Sequence, residues 1–491
     1  MAEPSFGPLD EAEVSIMRML QDDNLSEADK KGALVEEIQR RLSLATLDDT
    51  NEILFYHQGK YVKGAEAKIL QELEQIAGHL INNRLRSEVL ASIRARTYKA
   101  REEFDKAPNI LNLANCLLNV ETGEATEHSP DFLSISQLPV SYDPKAKCPD
   151  FCKFLRETLE PEDIAVIVKM LGYLLLRSSV YEKAFMLCGE GSNGKSTLIK
   201  TIATFLGPEN GSSVSLQDLS NDRFAKAELY GKMANLFADL PAKKIVDTGD
   251  FKMLVSGDPI GAQHKHQKRF TFRNYAKLIF STNNVPESED KGQAYLRRWV
   301  IVTFNRTFEG DEKDEQLIEK LTTPEELSGI LNLAIKGLKK LKDDRGFRDT
   351  DLEEIRRQYE MGASRIRSFI QEMCILEAGN DSLAIESSVL RDAYRKYCRA
   401  HGSIFFDERK FGEELKALGV VHRQKRAGKV RPYFEFGVAL KSSRLNVLDK
   451  HTTTLPHIAE IPMEEEVVTD SSKTKRQAEQ SLPANKEIVS I

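Results

Sequence analysis

The segment with the clearest chemistry is Gly189-Glu190-Gly191-Ser192-Asn193-Gly194-Lys195-Ser196, followed by Thr197. Glycines at this spacing let the backbone curl so that successive N–H groups point at phosphate oxygens. A lysine there reaches the β and γ phosphates of a nucleoside triphosphate, and the serine hydroxyl suits magnesium, a hard cation that prefers oxygen. The expected ligands are therefore ATP and Mg2+, with residues 189–197 as the cradle.

Such a loop works only between a strand and a helix, whose positive dipole end adds to the anion site. Both flanks are present. Ala184 to Cys188 is a buried-strand run, and a helix-compatible stretch reaches Leu206 before Gly207-Pro208 stops it. A second strand, Met233 to Ala238, ends at Asp239, where a carboxylate would give magnesium its second protein contact. A turn-forming Asp before Leu240-Pro241 has the same signature. A third strand, Ala276 to Phe280, runs into Ser281-Thr282-Asn283-Asn284, and Asn283 is the better placed amide to hold an attacking water. Arg297 and Arg298 precede the strand Trp299 to Val302. From there either guanidinium could reach the γ phosphate of a neighbouring subunit, or the pair could cap acidic neighbours on the surface.

The chain has 491 residues, enough for several cores. It is 41% hydrophobic and 30% charged, as soluble globular proteins are. The start is neither basic nor apolar, and no run approaches a membrane span, so a cytoplasmic protein without membrane contact is expected. Net charge is −6, so nucleic acid would be held by local basic surface. The six scattered cysteines read as reduced and structural, without zinc-ligand spacing.

The expected fold is a multidomain α/β protein. Residues 1–105 read as mainly helical, with a hairpin at Ile53–Val62 around Gly59. Residues 106–160 form a second small unit with turns at Glu121-Thr122-Gly123 and Ser129-Pro130. The P-loop core occupies 161–310 and a helical connector 311–360. A basic domain occupies 361–440, and 441–491 read as a disordered tail rich in Ser, Thr, Glu and Lys.

With these residues assembled, the stretch from about Ile53 to Phe304 resembles the superfamily 3 helicases, in the phage and plasmid primase-helicase branch that includes the poxvirus primase-helicase. Besides GEGSNGKS, the resemblance rests on Phe251-Lys252-Met253-Leu254-Val255-Ser256-Gly257-Asp258, then Ala262, Lys265 and Phe270-Thr271-Phe272. Leu138 to Pro144 and Asn221-Asp222-Arg223-Phe224 add to it. The resemblance implies an AAA+ type core and a hairpin that projects into the pore of a homo-hexameric ring. There Lys265, with His264, His266 and Lys268 beside it and Lys252 upstream, would grip single-stranded DNA. Many relatives carry a glutamate or an acidic pair where this chain has Asp239 alone, which leaves the general base open. Longer relatives carry a primase domain ahead of these segments. The N-terminal residues here show neither its length nor a carboxylate cluster, so primer synthesis is not expected.

Between Arg391 and Arg431 twelve Lys or Arg face five Asp or Glu, a net +7 in an acidic protein. Helices at Ser388–Ala400 and Glu408–Leu418, then a basic turn before Val430–Phe436, read as a winged helix. Arg409, Lys410 and Lys416 would face duplex DNA, and Arg423, Lys425 and Arg426 would touch phosphates. The expected activity is ATP-driven unwinding of forked DNA, possible partners being a separate primase or replication initiator. Rival readings are an ATP-switched initiator or loader and a small-molecule phosphotransferase.

Overall fold

The computed structural model describes residues 11–189, 192–241, 243–265, 268–283, 285–306, 308, 314–347, 353, 355–356, 358–359, 365–400, 408–424 and 432–441. Two compact units are present, residues 1–364 and 365–491. The expected tail beyond Lys441 lies outside the described residues, as do Glu190, Gly191, His266, Asn284, Lys425 and Arg426 and the side chain of Lys410.

Near the N-terminus, helices Glu11–Gln21, Glu27–Arg41, Ala65–Ala77 and Asn83–Thr97 bury Leu34, Ile38, Ile69, Leu73, Val89 and Ile93 in one core. Their starts are set locally. Ser26 Oγ accepts the Asp29 N–H while the Asp29 side chain caps back, and Asn82 Oδ1 accepts the Leu85 N–H at 2.9 Å. The Ile53–His57 and Lys60–Val62 hairpin forms as its pattern predicts, turning at Gln58 and Gly59, both with positive φ. Leu44–Leu47 and Tyr98–Lys99 extend this hairpin to four strands. Leu44–Leu47 is too short and too buried to alternate, so its sequence carries no strand signature.

Strands Ile110–Asn112, Leu117–Asn119 and Ala125–Thr126 follow as an antiparallel meander. Helices Pro149–Thr158 and Pro161–Leu174 then pack with Pro324–Asp343, whose 20 residues supply most of the described part of the expected 311–360 connector. Glycines set the closeness of this contact. A Cβ at Gly337 would lie 2.0 Å from Val168 O, and one at Gly172 would lie 2.2 Å from the Leu338 nitrogen.

The central sheet is five-stranded and parallel, in the order Trp299–Thr303, Ala184–Cys188, Lys277–Thr282, Ala234–Phe237, Gly211–Ser212. Its central strand Lys277–Thr282 is buried throughout, on both faces, as an interior parallel strand requires. Leu198, Ile199 and Ile202 of helix Lys195–Leu206 cover one face. Phe251 and Leu254 of helix Gly249–Ser256 cover the other, with Phe251 stacked 4.7 Å from the Trp299 ring.

The unit beginning at Arg365 contains helices Arg365–Met373, Ser387–Ala400 and Glu408–Ala417, and a three-stranded antiparallel sheet ordered Ala384–Glu386, Tyr433–Phe436, Val421–Gln424. Phe369, Tyr394, Tyr397 and Phe411 fill its core. All six cysteines are free thiols, and Cys148 Sγ lies 3.8 Å from Cys152 Sγ.

Candidate nucleotide site and basic hairpin

The parallel sheet gathers the candidate residues at the C-terminal ends of three adjacent strands. Strand Ala184–Cys188 delivers the glycine loop, and helix Lys195–Leu206 starts within it. Gly189 and Gly194 have φ of 151° and 91°. At Gly189 a Cβ would meet Asn193 Nδ2 at 2.3 Å and Phe304 O at 2.5 Å. At Gly194 one would meet Thr158 Cγ2 at 2.9 Å and Phe154 Cε2 at 3.0 Å. Neither position tolerates a side chain, so the loop's curl follows from its sequence.

Asn193 does more than line the loop. Its Nδ2 donates to Phe304 O at 3.2 Å, tying the loop to the end of the neighbouring strand, while its Oδ1 accepts from Lys195 Nζ at 2.9 Å. Lys195 Nζ also donates to Gly189 O at 2.7 Å, so the ammonium is 5% exposed and held inside the loop. Ser192 O accepts the Phe308 N–H at 2.9 Å. These braces from Phe304 and Phe308 leave no signature in the linear sequence.

Strand Lys277–Thr282 lies between the loop strand and strand Ala234–Phe237. The segment after Phe237 is pinned to it: the Leu240 N–H donates to Ser281 O at 2.8 Å, and Thr282 Oγ1 donates to Leu240 O at 3.0 Å. Asp239 is thereby held exposed at the mouth of a 390 Å³ cavity, also lined by Ser192, Gly194, Lys195, Ser196, Thr197, Ser281 and Asn283. This donor set fits a triphosphate with its magnesium: an ammonium, four hydroxyls and a carboxylate beside a helix start. An adjoining cavity of 470 Å³ shares Ser192, Gly194 and Thr197 with it. Phe154, Phe308 and Leu317 wall it, giving room for a nucleoside.

The two arginines separate clearly. Arg298 is 7% exposed, and its guanidinium donates to Ala294 O and to Ser256 Oγ at 2.6 Å, with Glu182 at 3.4 Å. Burial, and then the charge of Arg297, pull its pKa below the usual value. The Arg297 side chain is 54% exposed, with Nη2 3.1 Å from Glu182 Oε2. Of the pair, Arg297 alone presents its guanidinium at the surface of this subunit.

Strands Pro259–Gln263 and Arg269–Arg273 pair antiparallel, so the basic segment is the turn of a hairpin, with His264, Lys265 and Lys268 exposed. Arg269 belongs with them: its guanidinium lies across Gly261, where a Cβ would meet Nη2 at 2.4 Å. Lys252 does not join this cluster. It sits on helix Gly249–Ser256, and its Nζ is 2.9 Å from Asp290 Oδ2.

Aromatic rings support the hairpin. Tyr230 packs edge-on against Phe270 and Phe272 at 5.1 and 5.4 Å, and His264 stacks on Phe270 at 5.3 Å. Over the Tyr230 ring, 5.5 Å from its centroid, lies the Arg101 guanidinium, itself bound to Asp49 through two hydrogen bonds. The N-terminal region thus reaches the base of the hairpin, which no local sequence feature announces.

In the second unit, helix Glu408–Ala417 places Lys416 near its end and Arg409 at its start, with Arg409 Nε 3.0 Å from Glu413 Oε1. Arg423 pairs with Asp381 and covers the Phe436 ring at 4.0 Å.

Residues 17–160 match the family described as D5 N terminal like, and residues 187–298 match a family of unknown function, DUF5906. The chain is similar to the protein named "Putative primase C962R" of African swine fever virus, in the isolates Tick/Malawi/Lil 20-1/1983 and Warthog/Namibia/Wart80/1980. In each it is 21% identical over 232 residues, covering 44% of this chain and 24% of the viral protein. It therefore spans about a quarter of the length of these curated relatives. Two solved apo structures of the NrS-1 C terminal region are also similar, each with a TM-score of 0.42. One is 12% identical and covers 82% of this chain and 98% of that one; the other is 10% identical and covers 88% and 100%. Among the described residues no helix is long and apolar enough to cross a membrane.

Proposed function

We propose that this chain is an ATP-hydrolysing motor of the superfamily 3, AAA+ type that translocates on single-stranded DNA and separates strands during replication. One observation carries the reading: three neighbouring parallel strands bring Lys195, Ser196, Asp239 and Asn283 to a single cavity. Magnesium-ATP bound there supplies the phosphoanhydride whose cleavage drives the motor. Lys195 offsets charge on the β and γ phosphates, Ser196 and Asp239 hold the metal, and Asn283 orients the attacking water. The D5 N terminal like region and the viral primase-like relatives support a place in DNA replication.

The hairpin bearing His264, Lys265 and Lys268 is the DNA-gripping element, and Arg297 completes a neighbour's site in a homo-hexameric ring. The second unit follows the order helix, two strands, two helices and three strands, which supports a winged helix for DNA contact. A separate primase or initiator is a fitting partner.

The test is ATP turnover with and without single-stranded DNA, together with unwinding of a forked duplex. Wild type should show DNA-stimulated turnover, Lys195→Ala should lose it, and Lys265→Ala should keep basal turnover but lose unwinding. Turnover indifferent to DNA would overturn the motor reading. Normal unwinding by Lys265→Ala would overturn the hairpin assignment.

A further inference from the structure

Ser281 is 1% exposed on strand Lys277–Thr282, and its hydroxyl has no hydrogen-bond partner in the protein. Yet it lines the same cavity as Lys195, Ser196, Asp239 and Asn283. The pleat explains its position. Ile279 packs with Leu198, Ile199 and Ile202 of the P-loop helix, whereas Leu278 and Phe280 join the core on the opposite face. Side chains alternate along a strand, so Ser281 shares the face of Ile279, one repeat nearer the phosphate loop. Its register partner, Leu187, stands two residues before Gly189. The next hydroxyl, on Thr282, is occupied by Leu240 O.

A buried hydroxyl without a partner is destabilising, and folded proteins keep few of them. Alanine would fill this position without that cost, so the hydroxyl is accounted for if its partner arrives with the ligand. We infer that Ser281 is a further polar contact of the triphosphate–magnesium assembly, donating to a terminal phosphate oxygen or accepting from a metal-bound water, an inference that rests on the nucleotide reading above. Ser281 is thus a positioning residue in the cavity floor, beneath the groups that Lys195 and Asp239 hold.

The experiment measures ATP and AMP binding by wild type, Ser281→Ala and Ser281→Thr, each with magnesium and with a chelator, plus the melting temperature of each protein without nucleotide. Ser281→Ala should bind magnesium-ATP roughly tenfold more weakly, the low end for a hydrogen bond with a charged partner. It should bind AMP as wild type does and melt at the same temperature or higher, and Ser281→Thr should restore ATP affinity. A deficit that persists in chelator assigns the partner as a phosphate oxygen, and one that vanishes assigns it as the metal's water. Unchanged ATP affinity, an equal loss for AMP, or a lower melting temperature without nucleotide would each overturn the inference. Failure of wild type itself to bind magnesium-ATP would instead remove the nucleotide reading on which it stands.

Discussion

Replacing Tyr230 by alanine should loosen the basic hairpin while leaving the nucleotide site intact. The Tyr230 ring makes two edge-on contacts, with Phe270 at 5.1 Å and Phe272 at 5.4 Å, and carries the Arg101 guanidinium at 5.5 Å. An aromatic pair contributes about 0.5–1.5 kcal/mol beyond its burial, and a cation over a ring about 0.5–1 kcal/mol at a partly exposed site. Two such pairs and one such cation put the local loss at about 1.5–4 kcal/mol. Strands Pro259–Gln263 and Arg269–Arg273 form a two-stranded sheet of their own, so the loss falls on the opening of the hairpin rather than on the central sheet. Amide hydrogen exchange should therefore quicken roughly 10- to 900-fold across these strands. Exchange in Ala184–Cys188 and Lys277–Thr282 should stay as it was, and so should ATP affinity. In the motor reading, stimulation by DNA should fall with it. Unchanged exchange at residues 259–273 would refute the claim that the rings anchor the hairpin. Equal acceleration throughout the central sheet would refute its local character.

Arg297→Ala should leave the melting temperature within a degree or so of wild type but, in the motor reading, depress DNA-stimulated turnover. Arg298→Ala should destabilise by about 1–3 kcal/mol in a denaturant titration, because the hydrogen bonds from its buried guanidinium to the Ala294 carbonyl and the Ser256 hydroxyl are lost. Gly337→Ala should cost at least about 2 kcal/mol by the same titration, since its Cβ would stand 2.0 Å from Val168 O and the helices must separate. Glu37 is held at a pKa of about 2, first by its hydrogen bond from Arg40 and then by Arg41, against burial that raises it from the usual 4.5. Because the folded value is the lower one, the contribution is fully present above pH 4.5 and is lost as pH falls toward 2. That contribution is about 3 kcal/mol. Glu37→Gln should remove it at neutral pH and flatten the acid limb of a stability profile.

The hairpin at Ile53–Val62, the amphipathic helices near the N-terminus and the strand–loop–helix around Lys195 were all legible from residue order. Each is decided by interactions a few residues apart: apolar periodicity, a capping side chain, or a glycine that takes positive φ where other residues are strained. Asp239 and Asn283 could be nominated because each follows an apolar run. That they share a cavity with Lys195 depends on strand Lys277–Thr282 inserting between the other two, a pairing between residues far apart in the chain.

The same distinction runs through the charged residues. Spacing made Arg297 and Arg298 equivalent, and Lys252 a companion of Lys265. Packing separates them, because Ser256 and Ala294 bury one arginine while Glu182 leaves the other at the surface, and Asp290 holds Lys252 away from the turn. The sequence by itself determined the local chemistry of the glycine loop and the basic character of the turn, since both are written in consecutive residues. Only the tertiary structure decided that Arg101 reaches Tyr230 and that Ser281 faces the cavity without a partner. Those facts arise when residues distant in sequence compete for the same few ångströms of space and the same hydrogen bonds.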